Sequence, residues 1–195
     1  MQLSPDERAR AERFQFERDR RRFTVARGML RTLLGEATGL SPAAIVFAQS
    51  QYGKPCIVTA PPAIHFNVAH SADMAIYAMS CSCVPGVDIE YVHRDIDEDA
   101  MAKRFFTSRE YAELQRVPVA TRKRAFLACW TRKEAIVKAI GQGLRMPLDK
   151  IEVTVAPNAE PQVLGVTCGQ LADWTLYNVD AGRDYVATVA AHREN

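Results

Sequence analysis

Five residues, Gly86-Val87-Asp88-Ile89-Glu90, constrain this chain more tightly than any other stretch. Two carboxylates alternate with two branched apolar residues just after the turn-like Val84-Pro85-Gly86, and a period of two predicts a short strand. Residues two apart on a strand point the same way, about 6.6 Å apart. Asp88 and Glu90 are therefore expected to aim into one cleft while Val87 and Ile89 enter the core. Two hard oxygen donors at that spacing suit magnesium, which takes one or two carboxylates and completes its octahedron with water and phosphate oxygens. Taken alone, such a stretch is more often a solvated outer face.

Composition excludes several classes. With 195 residues, 48% hydrophobic and 25% charged, the chain has the make-up of a globular protein with one sizeable domain or two small ones. Its 25 basic and 23 acidic residues leave a net charge of +2, too small for nonspecific nucleic-acid binding or attachment to a membrane surface. No apolar run is long enough to span a bilayer, and the opening residues lack the apolar segment of a secretory signal, so a cytoplasmic location is expected. The five cysteines, Cys56, Cys81, Cys83, Cys129 and Cys168, lack the spacing of a zinc knuckle or redox pair and are expected to be reduced core thiols.

The first half reads as a basic helical arm followed by short strands. Ser4-Pro5-Asp6-Glu7 marks a helix start near Pro5. Nine arginines fall between Arg8 and Arg31, and Glu7, Glu12, Glu17 and Asp19 balance them as a solvated face from which a few could hold an anion. Gly35 and Gly39 end the helical part, and Ile45-Val46-Phe47-Ala48 reads as a strand. Tyr52-Gly53-Lys54-Pro55 is a turn whose glycine permits close approach of a ligand and whose lysine offers a point charge. Ile64 to Val68 and Met74 to Met79 are strands, with His70 where the first becomes a loop, a position at which function gathers.

In the second half, an acidic connection from His93 to Asp99 precedes a helix restarted by the capping box Thr107-Ser108-Arg109-Glu110. A longer helix is expected from Ala125 to Ile140, stopped by Gly141-Gln142-Gly143. On it, Glu134 and Lys138 share a face, as a surface ion pair worth about 0.3 to 0.5 kcal/mol or as a third carboxylate beside a phosphate-binding lysine. Ile151 to Val155, Trp174 to Val179 and Tyr185 to Ala191 read as the strands of a second sheet, so the class is α+β.

In this order and spacing, YGKPCI at 52 to 57, HFNVAHS at 65 to 71, GVDIE at 86 to 90, KRFFTSREYAEL at 103 to 114 and WTRKEAIVKAIGQGL at 130 to 144 resemble the 4′-phosphopantetheinyl transferases, in their larger, surfactin-synthetase-activating class. The resemblance implies transfer of the phosphopantetheine arm of coenzyme A to a serine hydroxyl of an acyl, aryl or peptidyl carrier protein, with release of adenosine 3′,5′-bisphosphate. It implies a magnesium-dependent monomer of two pseudo-symmetric α+β halves, residues 1–84 and 85–195, each a small, mostly antiparallel sheet packed with helices, with the active site in the cleft between them. Asp88, Glu90 and Glu134 would hold magnesium, Glu134 would also be the base, and Lys138 would bind a pyrophosphate oxygen. Gly53, Lys54 and Pro55 match the loop that contacts adenine, and His70 and Arg10, with Arg22 after them, match contacts to the 3′-phosphate. Ala69 replaces the usual serine before the histidine, which removes one hydroxyl contact to the nucleotide, and the opening strand usual ahead of the first helix is expected upstream or dispensed with.

Two other classes compete. A magnesium-dependent nuclease or phosphodiesterase would use the same acids and lysine but needs a groove that tracks several phosphates. A noncatalytic binder of coenzyme A or of a carrier would keep the YGKP turn without needing three carboxylates.

Overall fold

The structure, a computed structural model, describes residues 3–58, 64–167 and 169–193. Its contacts divide it into two compact units, one of residues up to Gln49 with Pro55–Ile64, the other of Ser50–Lys54 with everything from His65 onward.

In the smaller unit, the basic arm is two helices rather than one. Helix α1 (Pro5–Glu12) is followed by a break and by α2 (Glu17–Thr38), which Gly39 closes in the left-handed conformation at φ 72°. The reason is a carboxylate. Glu7 accepts from Ser4 N–H at 2.9 Å, from Arg31 Nε at 2.6 Å and from Arg27 Nε. Along one straight helix, residues 7 and 31 would stand about 36 Å apart, so this contact requires the chain to reverse. Glu7 and Arg31 therefore leave the solvated face expected for them; they are 4% and 2% exposed, and Arg31 also donates to the carbonyls of Pro42 and Ile45. Gly35 does not end the helix but lets Leu40 and Pro42 pack against it, since a Cβ there would stand 2.9 Å from Leu40 O. Strands β1 (Phe47–Gln49) and β2 (Pro55–Ile57) pair antiparallel, and Ile45, expected in the strand, is buried just before it.

The larger unit holds the hairpin β3 (His65–Ser71) and β4 (Met74–Ser80), and a sheet in which β9 (Tyr185–His192) lies between β5 (Val84–Tyr91) and β8 (Trp174–Val179), antiparallel to both. Val87 and Ile89 pack with Ala69 and Ala187 on one face of β5. Helix α5 (Val119–Ile140) covers the other so closely that a Cβ on Gly86 would stand 1.9 Å from Ala135 O. Behind α5 lie α3 (Glu98–Phe105) and α4 (Ser108–Arg116), joined to it through Phe106 stacked on Phe126 at 5.3 Å and Phe105 edge-on to Trp130 at 5.6 Å.

Among the described residues the chain is α+β with small antiparallel sheets, as expected, and no helix is long and apolar enough to cross a membrane. Several boundaries differ. The acidic connection contains the start of α3, because Asp97 caps Ala100 N–H at 3.0 Å and Glu98 and Asp99 suit a helix N-terminus. Helix α5 starts at Val119, through a largely exposed first turn without apolar periodicity, and Arg122 on Val117 O and Arg124 on Arg183 O anchor the start of the helix. The strand expected over Ile151 to Val155 is only β6 (Glu152–Val153), paired with β7 (Val163–Gly165), because buried Arg132 takes the carbonyls of Thr154 at 2.7 Å and Ala156 at 3.1 Å. Of the described cysteines only Cys129 is a core thiol; Cys56 and Cys81 are exposed, Cys83 is half-buried, and Cys168 lies outside the described residues.

Candidate active site

Glycine at 86 builds the site. With no side chain there, the backbone of α5 settles on β5, and strand alternation then turns the next same-face residues, Asp88 and Glu90, toward the helix turn that bears Glu134 and Lys138. Lys138 Nζ reaches across to Asp88 Oδ1 at 2.6 Å instead of remaining on its own helix as the surface partner of Glu134. Asp88 is 6% exposed, and its second oxygen, Oδ2, is buried with no hydrogen-bond partner. Burial pushes the Asp88 carboxyl up to about 7; Lys138 opposes this, and Glu90 and Glu134 add to it. Burial likewise raises Glu134 above its ordinary value, with Lys138 opposing and Glu90 adding.

Glu90 is held from two sides that the sequence reading missed. Ser71 Oγ donates to its Oε2 at 3.2 Å, and Arg94 approaches its Oε1 at 2.5 Å. The same Ser71 oxygen accepts Tyr91 N–H at 2.9 Å, and the buried Asn67 Oδ1 accepts Val87 N–H at 2.9 Å, so side chains of β3 set its register against β5. Extending the alternation of Ile64 to Val68 by three residues would have placed Ser71 on the side of Ala69, the only hint the sequence held.

The other expected site residues fall elsewhere. His70 is exposed on β3, opposite Ala75, on the face away from Ala69 and Ser71. Gly53 adopts φ 85° in the turn, Pro55 opens β2, and Lys54 Nζ donates to Ala139 O at 2.8 Å. Arg10 on α1 lies with its guanidinium 5.0 Å from the Phe23 ring centre, and Arg22 on α2 is 3.8 Å from Asp19; both belong to the smaller unit.

Among the described residues no group of three His, Cys, Asp or Glu side chains stands in ligating geometry. The chemistry of the donors nevertheless fits a hard dication. Three carboxylates are near enough for Glu90 to raise both of the others, and the unpartnered Asp88 Oδ2 is a buried acceptor that a cation would satisfy.

Comparison with known proteins accords with this geometry. Residues 85–190 match the family model described as the 4′-phosphopantetheinyl transferase superfamily, and residues 1–82 match that described as 4′-phosphopantetheinyl transferase, N-terminal. The chain is 38% identical over 190 residues to the 4′-phosphopantetheinyl transferase HetI of Nostoc sp., covering 96% of this chain and 78% of that protein. It is 35% identical over 195 residues to a 4′-phosphopantetheinyl transferase of Bacillus subtilis, covering 97% and 83%. To the Bacillus subtilis transferase Sfp it is 31% identical over 190 residues, again covering 97% and 83%.

Proposed function

The chain belongs to the 4′-phosphopantetheinyl transferase superfamily, and from that premise we propose how its residues perform the transfer. The protein is a transferase that places phosphopantetheine on carrier proteins. Coenzyme A is the donor, and a serine hydroxyl of an acyl, aryl or peptidyl carrier is the acceptor. The serine oxygen bonds to the phosphorus that bears the pantetheine, the bond from that phosphorus to the bridging oxygen breaks, and adenosine 3′,5′-bisphosphate leaves.

Glu134 takes the serine proton. Its carboxylate, raised by burial, is a better base than a solvated one. Lys138, positioned by Asp88, faces the oxygens on which charge develops. Magnesium bound by Asp88, Glu90 and Glu134 would neutralise charge on the pyrophosphate. Ser71 and Arg94 fix the position of the Glu90 carboxylate. The functional division at residue 84 follows the resemblance, with nucleotide contacts before it and the metal site after it. By the same resemblance His70, Arg10 and Arg22 answer the 3′-phosphate, and the protein acts as a monomer.

The observation that carries this reading is Asp88, buried with Lys138 on one oxygen, nothing on the other, and two carboxylates beside it. The nuclease and noncatalytic readings lose ground to relatives named as transferases over nearly the whole chain. Incubating an apo carrier protein with this protein, coenzyme A and magnesium, and then measuring carrier mass, should show the gain of one phosphopantetheine. No gain on any of several acyl and peptidyl carriers, or an equal gain with magnesium chelated, would overturn the assignment.

A further inference from the structure

The turn at Ser50–Lys54 is a closed device. Ser50 Oγ accepts the N–H groups of Tyr52 at 3.3 Å and Lys54 at 3.1 Å, Ser50 O accepts Gly53 N–H at 2.9 Å, and Lys54 O accepts Ser50 N–H at 2.8 Å. From this closed turn the Lys54 side chain reaches α5. The last carbonyls of a helix have no acceptor role within it. In α5 the left-handed Gly141 turns its N–H back to Val137 O at 2.9 Å, and Lys54 Nζ reaches Ala139 O at 2.8 Å. The lysine stem lies against the same glycine, where a Cβ would stand 2.9 Å from Lys54 Cδ. A second contact ties the turn to the segment just after α5, the Arg145 guanidinium lying 5.4 Å from the centre of the Tyr52 ring.

We propose that Lys54 is a positioning residue, whose ammonium caps the C-terminal turn of α5 and thereby holds Lys138 against Asp88. Part of this rests on the function proposed above, since it gives Lys138 work to do. An ammonium at a helix C-terminus meets both a carbonyl without an intrahelical donor and the negative end of the helix dipole. Lys138 lies immediately before the capped residue, and its 2.6 Å contact with Asp88 holds only while that turn stays helical. Fraying would release the cation that pairs with Asp88. The role is separate from contact with adenine, for which the turn would offer backbone: Gly53 has nothing within 4 Å of the place where a Cβ would stand.

The test compares Lys54→Met, which keeps the stem and removes the charge, with Lys54→Arg in the full chain. Amide hydrogen exchange in the ligand-free protein is the first readout. Lys54→Met should speed exchange over the last turn of α5 by about two- to fivefold and leave the middle of the helix unchanged, while Lys54→Arg retains most of the protection. In steady-state transfer, Lys54→Met should lower kcat by about two- to fivefold with the KM for coenzyme A unchanged. Gly141→Ala should loosen the same amides with Lys54 intact, and adding Lys54→Met to it should change little more, as coupled sites do. Unchanged exchange in Lys54→Met, or a raised KM with kcat unaltered, would overturn the proposal and make Lys54 a donor contact. Because the exchange experiment contains no substrate, its result stands even where the transfer assay fails and the proposed function falls.

Discussion

Of the three lysines on helix α5, Lys133 and Lys138 each meet a buried carboxylate from another element, yet the two pairs differ in every respect that matters for chemistry. Lys133 and Glu110 are 0% and 1% exposed, and nothing in their network is left over. Glu110 accepts from Lys133, from Thr107 N–H at 2.7 Å and from Val153 N–H at 2.8 Å, and Lys133 also donates to Ile151 O at 2.5 Å. At the other pair Asp88 has a donor on one oxygen only, and its carboxyl is pushed up to about 7. A buried ion pair with every lone pair answered acts as a fastener. One with an acceptor left open, beside two further acids, is poised to take something from outside the chain.

The largest effect should come from breaking the closed pair. Lys133→Met leaves Glu110 charged, buried and short of a donor, and urea unfolding should show a loss of about 3 to 5 kcal/mol, while the molecules still folded at low temperature transfer within a few-fold of the parent. Unaltered stability would erase the distinction between the pairs. Asp88→Asn should do the reverse. Stability should stay within about 1 kcal/mol of the parent, because a costly buried charge is removed, and transfer should fall by about 10²-fold or more. Glu134→Gln should lower transfer as severely, and near-normal transfer by either folded variant would sink the site.

A third pair sharpens the contrast from the smaller unit. Glu7 is held down to about 2 from 4.5: burial opposes this, and the hydrogen bonds from Arg31, Ser4 and Arg27 prevail. A carboxyl whose folded value is depressed adds stability above its unfolded value and loses it as the pH falls toward the folded one. The parent should therefore lose about 1 to 2 kcal/mol between pH 4.5 and about 3 that Glu7→Gln does not lose, with acid unfolding curves as the measurement. Parallel curves would mean that Glu7 is not the closed pair it resembles.

Much of the site could be read in the chain, and the unread part has a common character. Asp88, Glu90, Glu134 and Lys138 were legible because alternation and helical spacing assign each to a face. Ser71 and Arg94 were not: alternation extended to Ser71 would give its side of the strand but not its partner, and an arginine in a polar stretch carries no periodic signal. Arg31 was assigned to a solvated face, because eight other arginines share its segment and only one carboxylate, across a chain reversal, draws it inward.

What the sequence determined by itself is local, together with the family resemblance carried by the order of its motifs. The cap at Thr107 and Glu110, the stop at Gly141 and the two-residue period through Asp88 each depend on neighbours within one or two turns of chain, which composition and spacing encode directly. Tertiary structure alone decided the partners. Lys138 meets Asp88, 50 residues away, rather than Glu134 on its own helix, and Lys54 meets Ala139 across 85 residues. Neither choice has a signature in spacing, because it depends on which groups lose their water together when α5 settles on Gly86. Partners also divide the buried carboxylates: hydrogen bonds from arginines and Ser4 N–H hold Glu7 low against burial, while burial leaves Asp88 high with one oxygen open.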